Sequence, residues 1–337
     1  MDKPDARDGA IATVTGSSRS RAIQLRAGDA RLAIDVDRGG RLGSWSIDGR
    51  ELLVGPPSDE DRSIGWGCFL MAPWAGRLAD GRFRAEDGRE IQLPRSHGRH
   101  AIHGLLWDRP WTVESASVDE ATLVCALPPD QWPPGGVARH EIRLLPDGLA
   151  MGATLVASRM GEAGMAGAIG WHPWFRRAGT ASLRVESNAV VETRELLPTG
   201  GVVPVAGKTD LRNGPDLGRR RLDHAYVEAD SPAVLRLDDV ELTISFEPSP
   251  ATVVVYTPAS SVCVEPQTAW PNAAALGGTG PRPDREARAR AGLRILAPGE
   301  TMTASMTIEA RFLAPREGRA GSERAVRERA APERAGL

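Results

Sequence analysis

Cysteine is scarce: Cys68, Cys125 and Cys263 are the only three, an odd number with no CxxC spacing. That pattern indicates neither a disulfide framework nor a zinc site, and it reads as three reduced, buried thiols. Net charge is nearly absent as well. A formal charge of -2 gives no global attraction to nucleic acid or to an anionic membrane, so a small neutral molecule is the partner this composition suits. No apolar run approaches the roughly 20 residues that cross a bilayer. The start, Met1-Asp2-Lys3-Pro4-Asp5, lacks the charged-then-apolar layout of a secretory leader, which makes the cytoplasm the expected compartment. Sustained helical periodicity is missing too. Only Asp284 to Ala291, between Pro283 and Gly292, is suited to a couple of helical turns. No cofactor is implied, and monomer and homodimer both remain open.

What is present is a period of two. Leu32, Ile34 and Val36 alternate with Arg31, Asp35 and Asp37, as a half-buried strand requires. The same alternation runs through Val240, Leu242, Ile244 and Phe246, and again through Met302, Ala304, Met306, Ile308 and Ala310. Shorter strand-like runs occupy Ala121 to Leu127, His140 to Leu145, Leu149 to Val156, Ser182 to Val191 and Ala251 to Val264. Asp48-Gly49, Asp87-Gly88, Asp147-Gly148 and Pro298-Gly299 supply turn chemistry between antiparallel neighbours. Many short strands and little helix predict an all-β, large antiparallel β-sandwich in one domain over residues 23–313. Residues 1–22 and the charge-rich stretch 314–337 are expected to be flexible ends outside it.

Four stretches carry the chemistry: Pro73 to Leu78, His100 to Trp111, Gly170 to Phe175 and Cys263 to Ala273. Seven of the nine tryptophans (Trp66, Trp74, Trp107, Trp111, Trp171, Trp174 and Trp270) fall in or beside them, against two tyrosines in the whole chain. Interleaved with them are His97, His100, His103, His172, Arg77 and Glu265. Indole faces stack on the C–H face of a sugar, and imidazole exchanges protons near neutral pH, so the pattern predicts a sugar pocket with His172 in one wall. A tryptophan-rich core layer is the alternative reading of the same rings. Glu265 ends an apolar run, where a carboxylate is costly to bury without a partner or a use. His100 and His103 have the spacing of two metal ligands, but no third is placed near them, so no metal is expected.

These stretches, in this order, resemble the aldose 1-epimerases, also called mutarotases, over about residues 25 to 312. Pro-Trp-Ala-Gly-Arg-Leu at Pro73 is similar to the family's proline-aromatic-small-Asn-Arg segment. His-Ala-Ile-His-Gly-Leu-Leu-Trp at His100 resembles its His-Gly stretch, and Gly-Trp-His-Pro-Trp-Phe at Gly170 its Gly-X-His-Pro-aromatic-Phe. Asp223-His224-Ala225-Tyr226 resembles its Asp-bearing element, and Val-Glu-Pro-Gln-Thr at Val264 its glutamate strand. The resemblance implies a galactose mutarotase-like supersandwich with an open sugar cleft, no cofactor, and interconversion of α and β anomers. It implies Glu265 as general base, His172 as general acid and His103 assisting, with Arg77 and Asp223 orienting hydroxyls and Trp174 against the sugar. Gly76 stands where the family commonly has asparagine, Trp174 where tyrosine is common, and Arg176-Arg177 where Asn-Leu often follows.

Opening a pyranose hemiacetal removes the C1 hydroxyl proton while protonating the ring oxygen, so an acid and a base must reach one anomeric centre together. Two alternatives accompany the free-hexose epimerase. One is a hexose-6-phosphate 1-epimerase with a clamp drawn from Arg95, Arg99, Arg109, Arg176 and Arg177. The other is a sugar-binding module without turnover. Both epimerase readings require that His172 and Glu265, remote in sequence, approach opposite sides of one cavity.

Overall fold

Alternating apolar residues become strands with one buried face. Val240–Glu247 and Thr301–Phe312 bury every second residue, and the Ala30–Asp35 strand follows the same rule over its first half. The computed structural model describes residues 13–17, 20–57, 64–276 and 283–313. Nineteen of the strands join into one antiparallel sheet that folds over on itself. One half runs from Thr112–Ala116 through Glu120–Leu127, Gly136–Leu145, Gly148–Ala157, Thr301–Phe312 and Val240–Glu247. The other runs from Ser20–Ala27 through Ala30–Asp35, Arg41–Ile47, Cys68–Met71, Gly170–Arg176, Ser261–Gln267 and Ala251–Tyr256. The 15-residue strand Asp223–Leu237 belongs to both. Its first part pairs with Ala251–Tyr256 and its second with Val240–Glu247. The change of partner follows a register shift between Tyr226 and Ala229, where Glu228 has φ 48°. A bulge of this kind bends a strand and increases its twist. Gly136–Leu145 packs across onto Ser20–Ala27 and Ala30–Asp35, and a continuous apolar core fills the space between. The expected all-β sandwich is therefore the architecture, with Arg285–Arg290 as the one α-helix among the described residues.

Several boundaries differ from expectation. The Ser182 to Val191 run is two strands, Ala181–Glu186 and Ala189–Arg194, separated where the Ser187 hydroxyl bonds the Val227 carbonyl at 2.6 Å. Ala251 to Val264 is a hairpin, Ala251–Tyr256 and Ser261–Gln267. The turn placed at Asp147-Gly148 sits one residue earlier, since Leu145 pairs directly with Gly148. Gly148 is there for closeness instead, because a Cβ would lie 2.6 Å from the Ile308 carbonyl oxygen of the neighbouring strand. At the amino end, Ser20–Ala27 begins ahead of the expected boundary at 23 and pairs with Thr13–Ser17. Residues 1–12 and 314–337, expected to be flexible, lie outside the described residues.

Candidate active site

Strand register assembles the site. His172 pairs with Phe69 on one side, while the pairs Gly170–Gln267 and Trp174–Cys263 place it opposite Glu265 on the other. Glu265 pairs with Val254, and Val254 with Ala225. Two residues along, a second row runs Trp174, Cys263, Tyr256, Asp223. Residues two apart share a strand face, so both rows project together from the sheet. Opposite them stand Arg77 and His103, carried by a short ladder in which Arg77 pairs with Ile102. This ladder is tied down from both sides. His103 N–H donates to the Gly76 carbonyl at 3.0 Å, and Asn272 N–H donates to the Arg77 carbonyl at 2.7 Å.

The sheet face and this ladder enclose a cleft with about 810 Å³ of empty space, counting its open mouth. Arg77, His97, His103, His172, Trp174, Asp223, Tyr256 and Glu265 supply its polar and aromatic lining. Hairpin residues Val191, Leu196 and Pro198 add an apolar wall. The six residues to which the family resemblance assigned roles all line this cleft: Glu265, His172, His103, Arg77, Asp223 and Trp174.

His172 Nε2 lies 3.3 Å from Glu265 Oε1, with both side chains buried. The expectation of two groups on opposite sides of a cavity is thus corrected: they are adjacent. Adjacent groups fit the chemistry, because the C1 hydroxyl oxygen and the ring oxygen are bonded to one carbon. Burial pushes the Glu265 carboxyl well above the usual carboxylate range, assisted by the Asp223 charge. Burial also pushes His172 down to about 3, assisted by Arg41. In the empty cleft the proton of the pair therefore rests on Glu265. His103 is held well below its ordinary value by burial and by its neighbour His172. Its Nδ1 accepts the Gly76 N–H at 3.3 Å, so the neutral ring carries its hydrogen on Nε2, free to donate. Arg77 donates to Asp223 Oδ2 at 3.3 and 3.4 Å, forming a half-buried ionic pair suited to vicinal hydroxyls.

His172, Cys263 and Glu265 present metal-ligand atoms within 4.8 Å of one another. A tetrahedral zinc gathers such donors to roughly 3.5 Å. The buried Arg41 and the nearby Arg77 oppose a dication, so the set suits proton transfer better than a metal. Of the His100/His103 pair, each Nδ1 accepts a backbone N–H, from Asp80 and Gly76 respectively.

Most of the tryptophans serve the core. Trp74 stacks on Trp132 at 4.9 Å, and Trp171 points to the opposite sheet face and donates to His140 at 3.2 Å. Only Trp174 of the seven lines the cleft. The aromatic wall of the cleft is thus one indole with Tyr256 set edge-on to it at 5.7 Å. Tyr256 was invisible to sequence reasoning because only the register beside Asp223 brings it in. Arg95, Arg99, Arg109, Arg176 and Arg177 are absent from the cleft lining, where Arg77 is the one cation among the described residues. Arg99 pairs with Asp80, Arg109 with Gln131, and Arg177 with backbone carbonyls of Gly179 and Gly218. Gly76 has φ 68°, a conformation that asparagine also tolerates, but here a Cβ would meet the Pro271 ring at 2.6 Å.

With this geometry in place, comparison with known proteins is informative. The sequence pattern of the family described as aldose 1-epimerase matches residues 21–309. The uncharacterized protein YihR of Escherichia coli K12 is 27% identical over 157 residues, 46% of this chain and 50% of that protein. The chain thus aligns with about half the length of that curated relative. A galactose mutarotase-like protein from Clostridium acetobutylicum superposes with a TM-score of 0.76 at 18% identity, covering 91% of this chain and 100% of that one. A galactose 1-epimerase from Lactobacillus acidophilus NCFM gives 0.67 at 18% identity, covering 90% and 98%. At these identities the structural matches speak for the fold, and the sequence match for the family. No helix among the described residues is long and apolar enough to cross a membrane. The chain belongs to the aldose 1-epimerase family.

Proposed function

We propose that this cleft interconverts the α and β anomers of a free aldohexose. The observation that carries the reading is the buried His172–Glu265 pair at 3.3 Å, sharing one cleft with the Arg77–Asp223 pair. One member takes the C1 hydroxyl proton while the other protonates the ring oxygen, and the open aldehyde then rotates about C1–C2. Reclosure reverses both transfers and returns the pair to its starting state. His103, through its Nε2–H, steadies a sugar oxygen beside them. Trp174 offers its face to the ring, and Arg77 with Asp223 orients hydroxyls.

A free sugar is favoured over a 6-phosphate because Arg77, the one cation lining the cleft among the described residues, is already paired with Asp223. Saturation-transfer NMR of anomer exchange on galactose, glucose and their 6-phosphates tests this. The reading requires faster exchange of at least one free hexose, with no gain in kcat/KM from the 6-phosphate. A preference for the phosphate esters would move the assignment to the sugar-phosphate epimerase, and binding without exchange would make the protein a sugar-binding module.

A further inference from the structure

Catalytic imidazoles are commonly oriented by a hydrogen bond to the nitrogen that does not react. Among the described residues His172 has none: its Nδ1 is buried without a hydrogen-bond partner. Rings hold it instead. Trp174 is stacked on it at 4.9 Å and 5°, Phe69 packs beside it at 5.0 Å, tilted by 30°, and His103 meets it edge-on at 4.8 Å and 83°. The Phe69 ring also carries a charge over it. The Arg41 guanidinium sits 4.4 Å over the Phe69 ring and 4.4 Å over Trp66, with Trp107 at 5.6 Å.

Arg41 is 2% exposed, yet no carboxylate among the described residues lies within ion-pair distance of it. Its nitrogens donate to the carbonyls of Trp66 at 3.3 Å, Trp107 at 3.2 Å and Ile64 at 3.5 Å, and its Nε has no partner. Gly67, with φ 67°, makes room, since a Cβ there would fall 3.1 Å from the arginine stem. Burial pushes the Arg41 guanidinium down to about 9, with the charges of Asp35 and Asp108 acting against that shift.

We propose that Arg41 is a positioning residue for the epimerase reaction: it packs on the Phe69 ring that adjoins His172, and its charge opposes a second positive charge on the His172 ring. This rests on His172 being half of the acid–base pair. The consequence is that any proton His172 does acquire is readily given up to a sugar oxygen. The other groups facing His172 are Glu265 and Cys263 on one adjoining strand and His103 from the short ladder, with Arg77 and Asp223 beyond. Arg41 is the nearby buried cation, with Asp35, Asp108 and Arg38 as the charged groups around it and Cys68 beside it.

The test is an NMR titration of the His172 ring in labelled wild type, Arg41→Met and Arg41→Lys, beside the pH profile of kcat/KM. In wild type His172 should stay neutral throughout pH 5 to 8, roughly the range in which an ordinary imidazole titrates. Arg41→Met should raise both its titration and the acid limb of kcat/KM by on the order of one pH unit, as expected for charges about two ring spacings apart. Arg41→Lys, which keeps the charge, should leave both in place. A wild-type His172 that titrates near its ordinary value overturns the proposal even if Arg41→Met fails to fold. So does a shift of equal size in the lysine and methionine variants. Because the titration needs no turnover, a protein with no epimerase activity but a charge-sensitive His172 would refute the functional reading alone.

Discussion

Placing an imidazole and a carboxyl in contact inside a protein decides where one proton rests, and here burial drives both groups toward neutrality. The working pair carries a single proton, and its apparent pKa values belong to the pair. Falling pH adds a second proton, on His172, only near its depressed value of about 3. Rising pH removes the single proton only above the ordinary carboxylate range, because Glu265 is raised. The prediction is a kcat/KM profile whose acid limb lies near the depressed His172 value of about 3 and whose alkaline limb lies above the ordinary carboxylate range. A narrow bell bounded by ordinary carboxylate and imidazole values would contradict it. Glu265→Gln and His172→Asn should each lower kcat/KM by about 10²–10⁴-fold, measured by anomer exchange. At this scale the sequence was legible where local chemistry stood out, as at Glu265, His172 and Arg77. It misled over the tryptophans, because an indole filling a core and an indole facing a sugar have the same local sequence signal. Arg41 escaped notice because a lone arginine inside a strand resembles any solvent-facing one.

Between residues and molecule, the elements explain why groups so far apart in sequence meet. Glu265 reaches His172 because two strands pair in a register bracketed by Gly170–Gln267 and Trp174–Cys263, and slipping that register by one would turn the carboxylate to the far face. Period-two runs could be read from sequence, but their order across the sheet could not. Asp223–Leu237 was missed as one strand because its polar start, its bulge and Pro232 interrupt the alternation. The ladder carrying His103 depends on a glycine. Gly104 has φ 84°, and a Cβ there would lie 2.0 Å from the Ala72 carbonyl oxygen. Gly104→Ala is expected to cost at least about 2 kcal/mol, since both the backbone conformation and the contact oppose it. Denaturant titration checks the loss. A stability unchanged within error would show that His103 is not held by this approach.

Across the whole molecule, three histidines are buried in neutral form: His103, His140 and His172. Unfolding lets each take up a proton below its ordinary value near 6.5, so the unfolded state binds more protons there and their contribution to stability rises with pH. For His140 the window runs from about 3 up to that ordinary value. Glu265, raised in the fold, acts in the opposite sense above the ordinary carboxylate value. His140 stands apart from the cleft and accepts the Trp171 indole N–H at 3.2 Å, so it reports on the core alone. Replacing it, as His140→Gln, should reduce the slope of unfolding free energy against pH between about 5 and 6 by up to 1.4 kcal/mol per pH unit. Denaturant titrations at a series of pH values measure that slope, and an identical slope in the variant would mean that His140 titrates normally in the fold.

The all-β class was legible because turn residues and alternation recur along the chain, whereas the closing of one sheet over itself depends on a single long strand changing partners. The most direct test of the central claim is polarimetry on a freshly dissolved α-anomer of galactose or glucose, with wild type beside Glu265→Gln. The account predicts that rotation reaches equilibrium faster with wild type than in buffer, and that the variant loses most of that acceleration. Wild type no faster than an inert protein across free aldohexoses, or a Glu265→Gln protein as fast as wild type, would contradict it.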